Sequence, residues 1–424
     1  MMFRQNEDDV PPVPTDPAGS APRLPRLRRA AAGLGRSRWR SVLGCVAQLH
    51  ERAIRDDRHG LFPHPWEEIG PGYVYGPAFG HWDIVHQSLD AVVDEPAHAL
   101  RQLENLLALQ QPDGRLPVVM MMRDGKPWLH DPALTHPPVW PVLVDRLVAG
   151  GHGPGLGARC VPHARAQLEW FDRHRRVGDA YGYADFLLED SFESGVDDGV
   201  RFLDGPHGEL APFVDASCHA WMLLDLVARF GPGAEAEAAG ERRAALAETI
   251  RRTMWHDGLG LFVDAFRTGK PSPPMALEGF WPLVIGVATA EQTDRVVDDW
   301  LLNPDRFFSA HPLRTVAPAD PAYETRMWRG PAWNSMTLWA ALGCARCGRP
   351  AAAAAILERA LNATAAEFER TGTVWEFYHP DGEPAASVAR KPYAEGVANA
   401  PCRDYLGHNP LLAMARLWEE CREA

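Results

Sequence analysis

A chain of 424 residues, 46% hydrophobic and 23% charged, can bury a large core and reads as globular, either one big domain or two ordinary ones. Its formal net charge of −13 argues against nucleic acid or an anionic membrane surface as partner, because both call for a net basic face. No apolar run approaches the ~20 residues of a membrane span, and the first residues lack the apolar stretch of a signal peptide, so a cytoplasmic protein acting on a small neutral or modest-sized substrate is expected.

In chain order, residues 1–33 are rich in Pro, Ala and Arg with little apolar periodicity, and are expected to form a disordered tail preceding a single domain over 34–424. Apolar residues then recur at helical spacing over 37–55, 82–94, 96–110, 138–149, 159–175, 215–230, 235–256, 278–287, 290–302, 331–347, 350–370 and 408–422. Pro96 and Pro331 stand at first-turn positions, and the Gly-containing stretches 149–157 and 343–350 fall between runs. Twelve such helices predict an all-α (α/α)6 toroid, six inner and six outer, with the connecting loops opening at one end. An open α-solenoid would show fixed-period self-similarity, which this sequence lacks.

The seven Cys are an odd number without disulfide-framework spacing and read as reduced thiols. Cys344 and Cys347 form a CxxC, but inside a helical run and without a second pair at ligand spacing, so neither a metal nor a cofactor is expected. Fifteen Trp suit sugar stacking as well as core packing.

Two acidic motifs carry the chemistry. Glu193-Ser194-Gly195-Val196-Asp197-Asp198 and Val374-Trp375-Glu376-Phe377-Tyr378-His379-Pro380 each set a carboxylate among small or aromatic residues, where a glycosidase needs a general acid and a general base. They lie far apart in sequence, so only a closed fold brings them together. Phe79-Gly80-His81-Trp82-Asp83 adds an indole beside a carboxylate at a helix start, fit to stack on a pyranose and accept from its hydroxyls, though an Asp in a first helical turn also suits the macrodipole. Gln110 to Pro117 is a turn after a helix, Arg201 flanks the first acidic motif, and Met327-Trp328-Arg329-Gly330-Pro331-Ala332-Trp333-Asn334 precedes the second.

In order and spacing these segments resemble glycoside hydrolase family 63 and the mannosylglycerate and glucosylglycerate hydrolases grouped with it, and more distantly trehalases. The resemblance runs from about Gly72 to the end of the sequence. It rests on Glu193-Ser194-Gly195-x-Asp197, Trp328-Arg329-Gly330-Pro331-x-Trp333 and Trp375-Glu376-x-Tyr378. It implies an (α/α)6 barrel that hydrolyses an α-glycosidic bond with inversion, Asp197 matching the general acid and Glu376 the general base. Trp82 and Asp83 match the pair that holds the cleaved sugar, Gln110 the Gln-containing loop, and Trp328 with Arg329 the pocket-lining Trp-Arg-Gly; Arg201, Trp333, Trp375 and Tyr378 join them as substrate-binding candidates. The acid needs a raised pKa, which Asp198 as a like charge and burial among Phe192 and Phe202 would supply.

Two departures from the family stand out. Asp198 and Gly199 occupy positions where Asn and Ser are usual, and residues 402–410 replace an aromatic-Trp-Thr stretch that seals the pocket. From the second, Arg403, Asp404 and His408 are expected to line the pocket, with Arg403 contacting an anionic aglycone. The alternative is an Arg403–Asp404 surface pair. Two other functions stay open: sugar isomerisation or epimerisation using His81, His379 or His408, and sugar binding without catalysis.

Overall fold

A computed structural model describes residues 23–123, 126–129, 133–186, 192–203, 208–265, 273–390 and 399–424. Thirteen α-helices dominate these residues: α1 Pro25–Gly33, α2 Arg40–Ala53, α3 His81–Val92, α4 Pro96–Ala108, α5 Trp140–Ala149, α6 Leu156–His174, α7 Val214–Phe230, α8 Gly233–Thr253, α9 Trp281–Val284, α10 Ala290–Asp294, α11 Asn334–Arg346, α12 Pro350–Thr371 and α13 Leu411–Glu423.

Burial divides them into two layers. Nearly every residue of α3, α7 and α11 is buried, whereas α8 buries only Ala239, Leu246, Ala247 and Ile250 and turns the rest to solvent. A helix buried all round belongs in an interior, and one with a single apolar stripe belongs outside it. Packing contacts run α13–α3–α5–α7–α9–α11–α13, a closed inner ring, with α2, α4, α6, α8, α10 and α12 alternating with it along the chain. This is the (α/α)6 toroid. Each inner helix returns through an outer one, so the six run the same way and their N-terminal ends crowd one end of the ring.

Eleven of the twelve periodic runs match helices, the run 290–302 only because α10 continues as a π-helix over Arg295–Leu301. The run 278–287 shrinks to the four-residue α9, because Pro282 stands in its first turn and Gly286, at φ +70°, ends it. Pro331 does not open α11. It precedes that helix in an extended stretch where Ala332 pairs with Tyr378.

The expected tail needs a larger correction. Residues 1–22 lie outside the described residues, but 25–33 form α1, with Leu24, Leu27, Ala31 and Leu34 buried against α2 and its surroundings. Spacing of three and four between these side chains gives the short helix an apolar stripe that the Arg-rich composition concealed.

Short strands serve as struts. β1 Ile54–Arg55 pairs with β2 Trp66–Glu67, and β3 Ala78–Gly80 pairs with β4 Val119–Arg123, which pairs with β5 Lys126–Leu129, all antiparallel. β3 runs straight into α3, and His81 N donates to Val118 O at 3.0 Å, fixing the first turn of α3. Among the described residues no helix is long and apolar enough to cross a membrane.

Candidate active site

At the start of α3, Asp83 is buried between two backbones. A Cβ added at Gly80 would sit 2.2 Å from one carboxylate oxygen of Asp83, and one at Gly407 would sit 2.3 Å from the other, so the close approach needs glycine at both places. Tyr405 OH donates to Asp83 Oδ1 at 3.0 Å, and His408 Nε2 lies 3.6 Å from the same oxygen. Burial pushes the Asp83 carboxyl up to about 7; the Tyr405 hydrogen bond opposes this, and the charge of Glu376 adds to it.

Two histidines complete this wall. The Trp339 indole N–H, which can only donate, donates to His86 Nε2 at 2.9 Å, so the proton of His86 is on Nδ1, 2.7 Å from Gly407 O. Burial keeps His86 neutral at a pKa of about 4 and holds His408 well below the ordinary histidine range. His408 Nδ1 is 2.6 Å from Ser335 Oγ.

The loop with Asp197 is built on a buried anchor. The Glu193 carboxylate accepts from Arg175 Nε at 2.6 Å and Nη2 at 2.8 Å, from Thr135 N at 2.9 Å and from Ala184 N at 2.6 Å. Ser194 donates through N and Oγ to Asp185. Gly195, at φ +73°, lies flat on Trp82: a Cβ there would fall 2.5 Å from the indole. Two residues later comes Asp197, half-buried. Asp198 follows in the left-handed region at φ +61°.

Asp198 is not the bare like charge expected beside the acid. Arg329 Nη2 is 2.5 Å from its Oδ1, Arg329 Nε donates to its carbonyl at 2.8 Å, and Arg326 Nε is 3.1 Å from Oδ2. Its charge is therefore compensated by two guanidinium groups, and Arg329 is committed to this loop and to Glu324.

Glu376 sits in an extended stretch between two others. Its N donates to Cys402 O at 2.9 Å, Trp375 pairs with Arg403, and Tyr378 pairs with Ala332. Its carboxylate, 3% exposed, accepts from Arg390 Nε at 3.0 Å, Arg390 Nη2 at 2.9 Å and Cys402 N at 3.0 Å. The same short segment thus touches both acids: Cys402 holds Glu376, while Tyr405, Gly407 and His408 surround Asp83.

Trp328 and Trp333 stack with ring centroids 3.9 Å apart and 6° between planes; Trp328 is 6.1 Å from Trp82, and Trp333 is 4.6 Å from His408. Trp82, Trp328, Trp333 and His408 therefore form one aromatic cluster beside Asp83. Other candidates lie differently. Gln110 spends its amide on Gly114 O, His163 O and His163 Nδ1, tying a turn to α6. Arg201 is buried against Asp215, Asp264 and Glu278. Tyr378 is buried, its hydroxyl donating to Asn409 Oδ1 and accepting from Trp375 N. Arg403 is exposed, its guanidinium over the Trp375 ring and on Thr371 O, and Asp404 accepts from Thr373 Oγ1.

Sequence reasoning missed Arg390, Tyr405 and the helper role of Gly407. Tyr405 and Gly407 lie in a segment whose departure from the family pattern had marked it; Arg390 lies in an Ala-Ser-Val-Ala-Arg-Lys stretch without a motif.

A family model described as "Mannosylglycerate hydrolase MGH1-like glycoside hydrolase domain" matches residues 216–390. Mannosylglycerate hydrolase MGH1 of Selaginella moellendorffii is 23% identical over 399 residues, covering 76% of each chain. Among solved structures, the GH63 mannosylglycerate hydrolase from Thermus thermophilus in complex with glucose superposes with a TM-score of 0.65 at 18% identity, over 88% of this chain and 98% of that one. Neutral trehalase Nth1 from Saccharomyces cerevisiae gives a TM-score of 0.61 at 14% identity, over 85% and 75%. The toroid and the matched domain define the class, a glycosidase. Within it the chain resembles the GH63 mannosylglycerate hydrolases, by the domain match over residues 216–390 and by fold.

Proposed function

We propose that this glycosidase cleaves the α-glycosidic bond of a small glycoside with inversion, Asp197 acting as general acid and Glu376 as general base. The carrying observation is the segment 402–408, which orients Glu376 through Cys402 N and encloses Asp83 through Tyr405 and Gly407, so that one segment fixes both carboxylates. On this reading Trp82 stacks on the ring and Asp83 binds its hydroxyls. A water held by Glu376 attacks C1 while Asp197 protonates the leaving oxygen, which requires the two carboxyls to stand roughly 6.5–9.5 Å apart. Burial lowers His81 to about 3 and holds His408 well below the ordinary histidine range, which makes these two of the three histidines named for isomerisation poor bases near neutral pH. Because the similar proteins include hydrolases named for mannosylglycerate, glycosylglycerates head the substrate choice.

The test is NMR of the first-formed anomer from α-mannosylglycerate, α-glucosylglycerate, trehalose and aryl α-glycosides. The β-anomer of the attacked sugar is expected, accompanied for trehalose by one equivalent of α-glucose from the leaving half; the α-anomer alone would mean retention and overturn the role of Glu376. Asp197→Asn and Glu376→Gln should each lower kcat by roughly 10²–10⁴. A glycosyl fluoride, whose leaving group needs no proton, should rescue the first variant and not the second; equal rescue of both would reverse or void the assignment.

A further inference from the structure

The only guanidinium found on the Glu376 carboxylate among the described residues is that of Arg390, and its attachment is two-pronged and buried. Nε and Nη2 reach different carboxylate oxygens, while Nη1 donates to Tyr75 OH at 3.2 Å and the guanidinium carbon lies 5.3 Å from the Tyr75 ring centroid. Both side chains of the pair are nearly inaccessible, 3% and 4% exposed. The backbone of Arg390 is itself fixed. Its N donates to Asn399 Oδ1 at 2.7 Å, and the preceding Ala389 pairs with Arg326 and accepts from Met327 N at 3.0 Å. Arg326 is the residue 3.1 Å from Asp198, next to Asp197. Residues 389–390 thus connect the support of the candidate acid to the carboxylate of the candidate base.

We infer that Arg390 is the positioning residue of the candidate base, locking the Glu376 carboxylate at both oxygens in the orientation from which it takes a proton from the attacking water. The inference rests on the glycosidase reading above. A carboxylate held at one oxygen can rotate about its last bond; one held by a rigid fork cannot, and a general base works only with a lone pair within hydrogen-bond reach of its water. In the reaction the water oxygen bonds to C1 as the C1–O glycosidic bond breaks. The water proton passes to Glu376 and the Asp197 proton to the departing oxygen. Arg390 exchanges no proton and touches no reacting atom. A purely structural ion pair would instead matter to folding and leave the chemistry of correctly folded molecules alone.

Steady-state kinetics of Arg390→Lys and Arg390→Met, on a glycoside that the wild type cleaves and on the matching glycosyl fluoride, separate these roles. Lys keeps the charge and loses the fork, so kcat should fall roughly 10- to 100-fold with KM nearly unchanged, and Met should lose about 10³-fold. The fluoride bypasses the acid but still needs an activated water. It should therefore relieve Asp197→Asn and leave the Arg390 defects in place. Full kcat in both Arg390 variants, a change in KM alone, or relief by the fluoride in parallel with Asp197→Asn overturns the inference. If Arg390→Met fails to fold, Arg390→Lys decides. A wild type that cleaves nothing in the panel sinks the glycosidase reading and this inference with it, whereas an active wild type with undamaged Arg390 variants sinks this inference alone.

Discussion

At Gly195 the candidate acid's loop rests on the candidate sugar platform. A methyl group there meets the Trp82 indole at 2.5 Å and must also adopt φ +73°, so Gly195→Ala has to lift the loop. Shifts of this size cost about 10²-fold when they move a catalytic group, and the left-handed conformation adds about 1 kcal/mol of destabilisation. Kinetics and a melting curve on Gly195→Ala check this; unchanged kcat would mean that the loop does not set the position of Asp197. The Asp197 and Glu376 motifs were legible in sequence because carboxylates among Gly, Trp and Tyr are unusual on a solvated surface. Their helpers were not. Arg390 reaches Glu376 through the path of a loop, which leaves no periodic trace. Gln110 and Arg201 have the right chemistry, but the fold spends it on a turn and on three buried carboxylates.

The long helical runs read easily, since 3.6-residue periodicity survives at α2 through α8 and α11 through α13. α1 escaped because nine residues offer only a narrow apolar stripe, diluted by three arginines. The segment 402–408 is more informative. It departs from the family pattern, yet it supplies Cys402 N, Tyr405, Gly407 and His408 to the site, so the expected replacement of the seal is half polar contact and half backbone. Arg403 is its outward member. If it also meets an anionic aglycone, Arg403→Ala should raise KM on a charged glycoside by roughly 10-fold or more and hardly affect a neutral one, since a charge-assisted contact is worth about 1.5–3 kcal/mol. Small, equal changes on both substrates would leave it only its place over Trp375.

Across the whole molecule, buried acids dominate the response to pH. Burial pushes Asp83, Asp185 and Glu278 up to about 7 and Asp264 to about 6. A carboxyl raised in this way binds its proton more tightly when folded, so its contribution is complete below the ordinary carboxylate range and is lost as pH climbs to about 7. His50 behaves alike at higher pH. Burial lowers it, but Glu67 and Asp90 at 2.6 and 3.1 Å raise it further, to about 10, so its contribution fades between about 6.5 and 10. Between about pH 5 and 6.5 the buried neutral His81, His86 and His408, whose contribution grows with pH, oppose this trend. The melting temperature should therefore fall only from about pH 6.5 to about pH 9, and less steeply near pH 7 in Asp83→Asn; a flat or rising wild-type profile over that range would contradict these protonation states. The ring that houses these acids closes only where α13 meets α3, and the hydrogen bond from Tyr405 to Asp83 joins positions 322 apart. At ribosomal speeds of about 5–20 residues per second, Asp83 waits on the order of tens of seconds for its partner to be made. Until then the inner ring stays open between α13 and α3. Assembly of the site thus waits for residues 405–408: a chain stalled between Glu376 and Tyr405 carries both candidate catalytic residues and lacks the side chains and backbone that enclose Asp83.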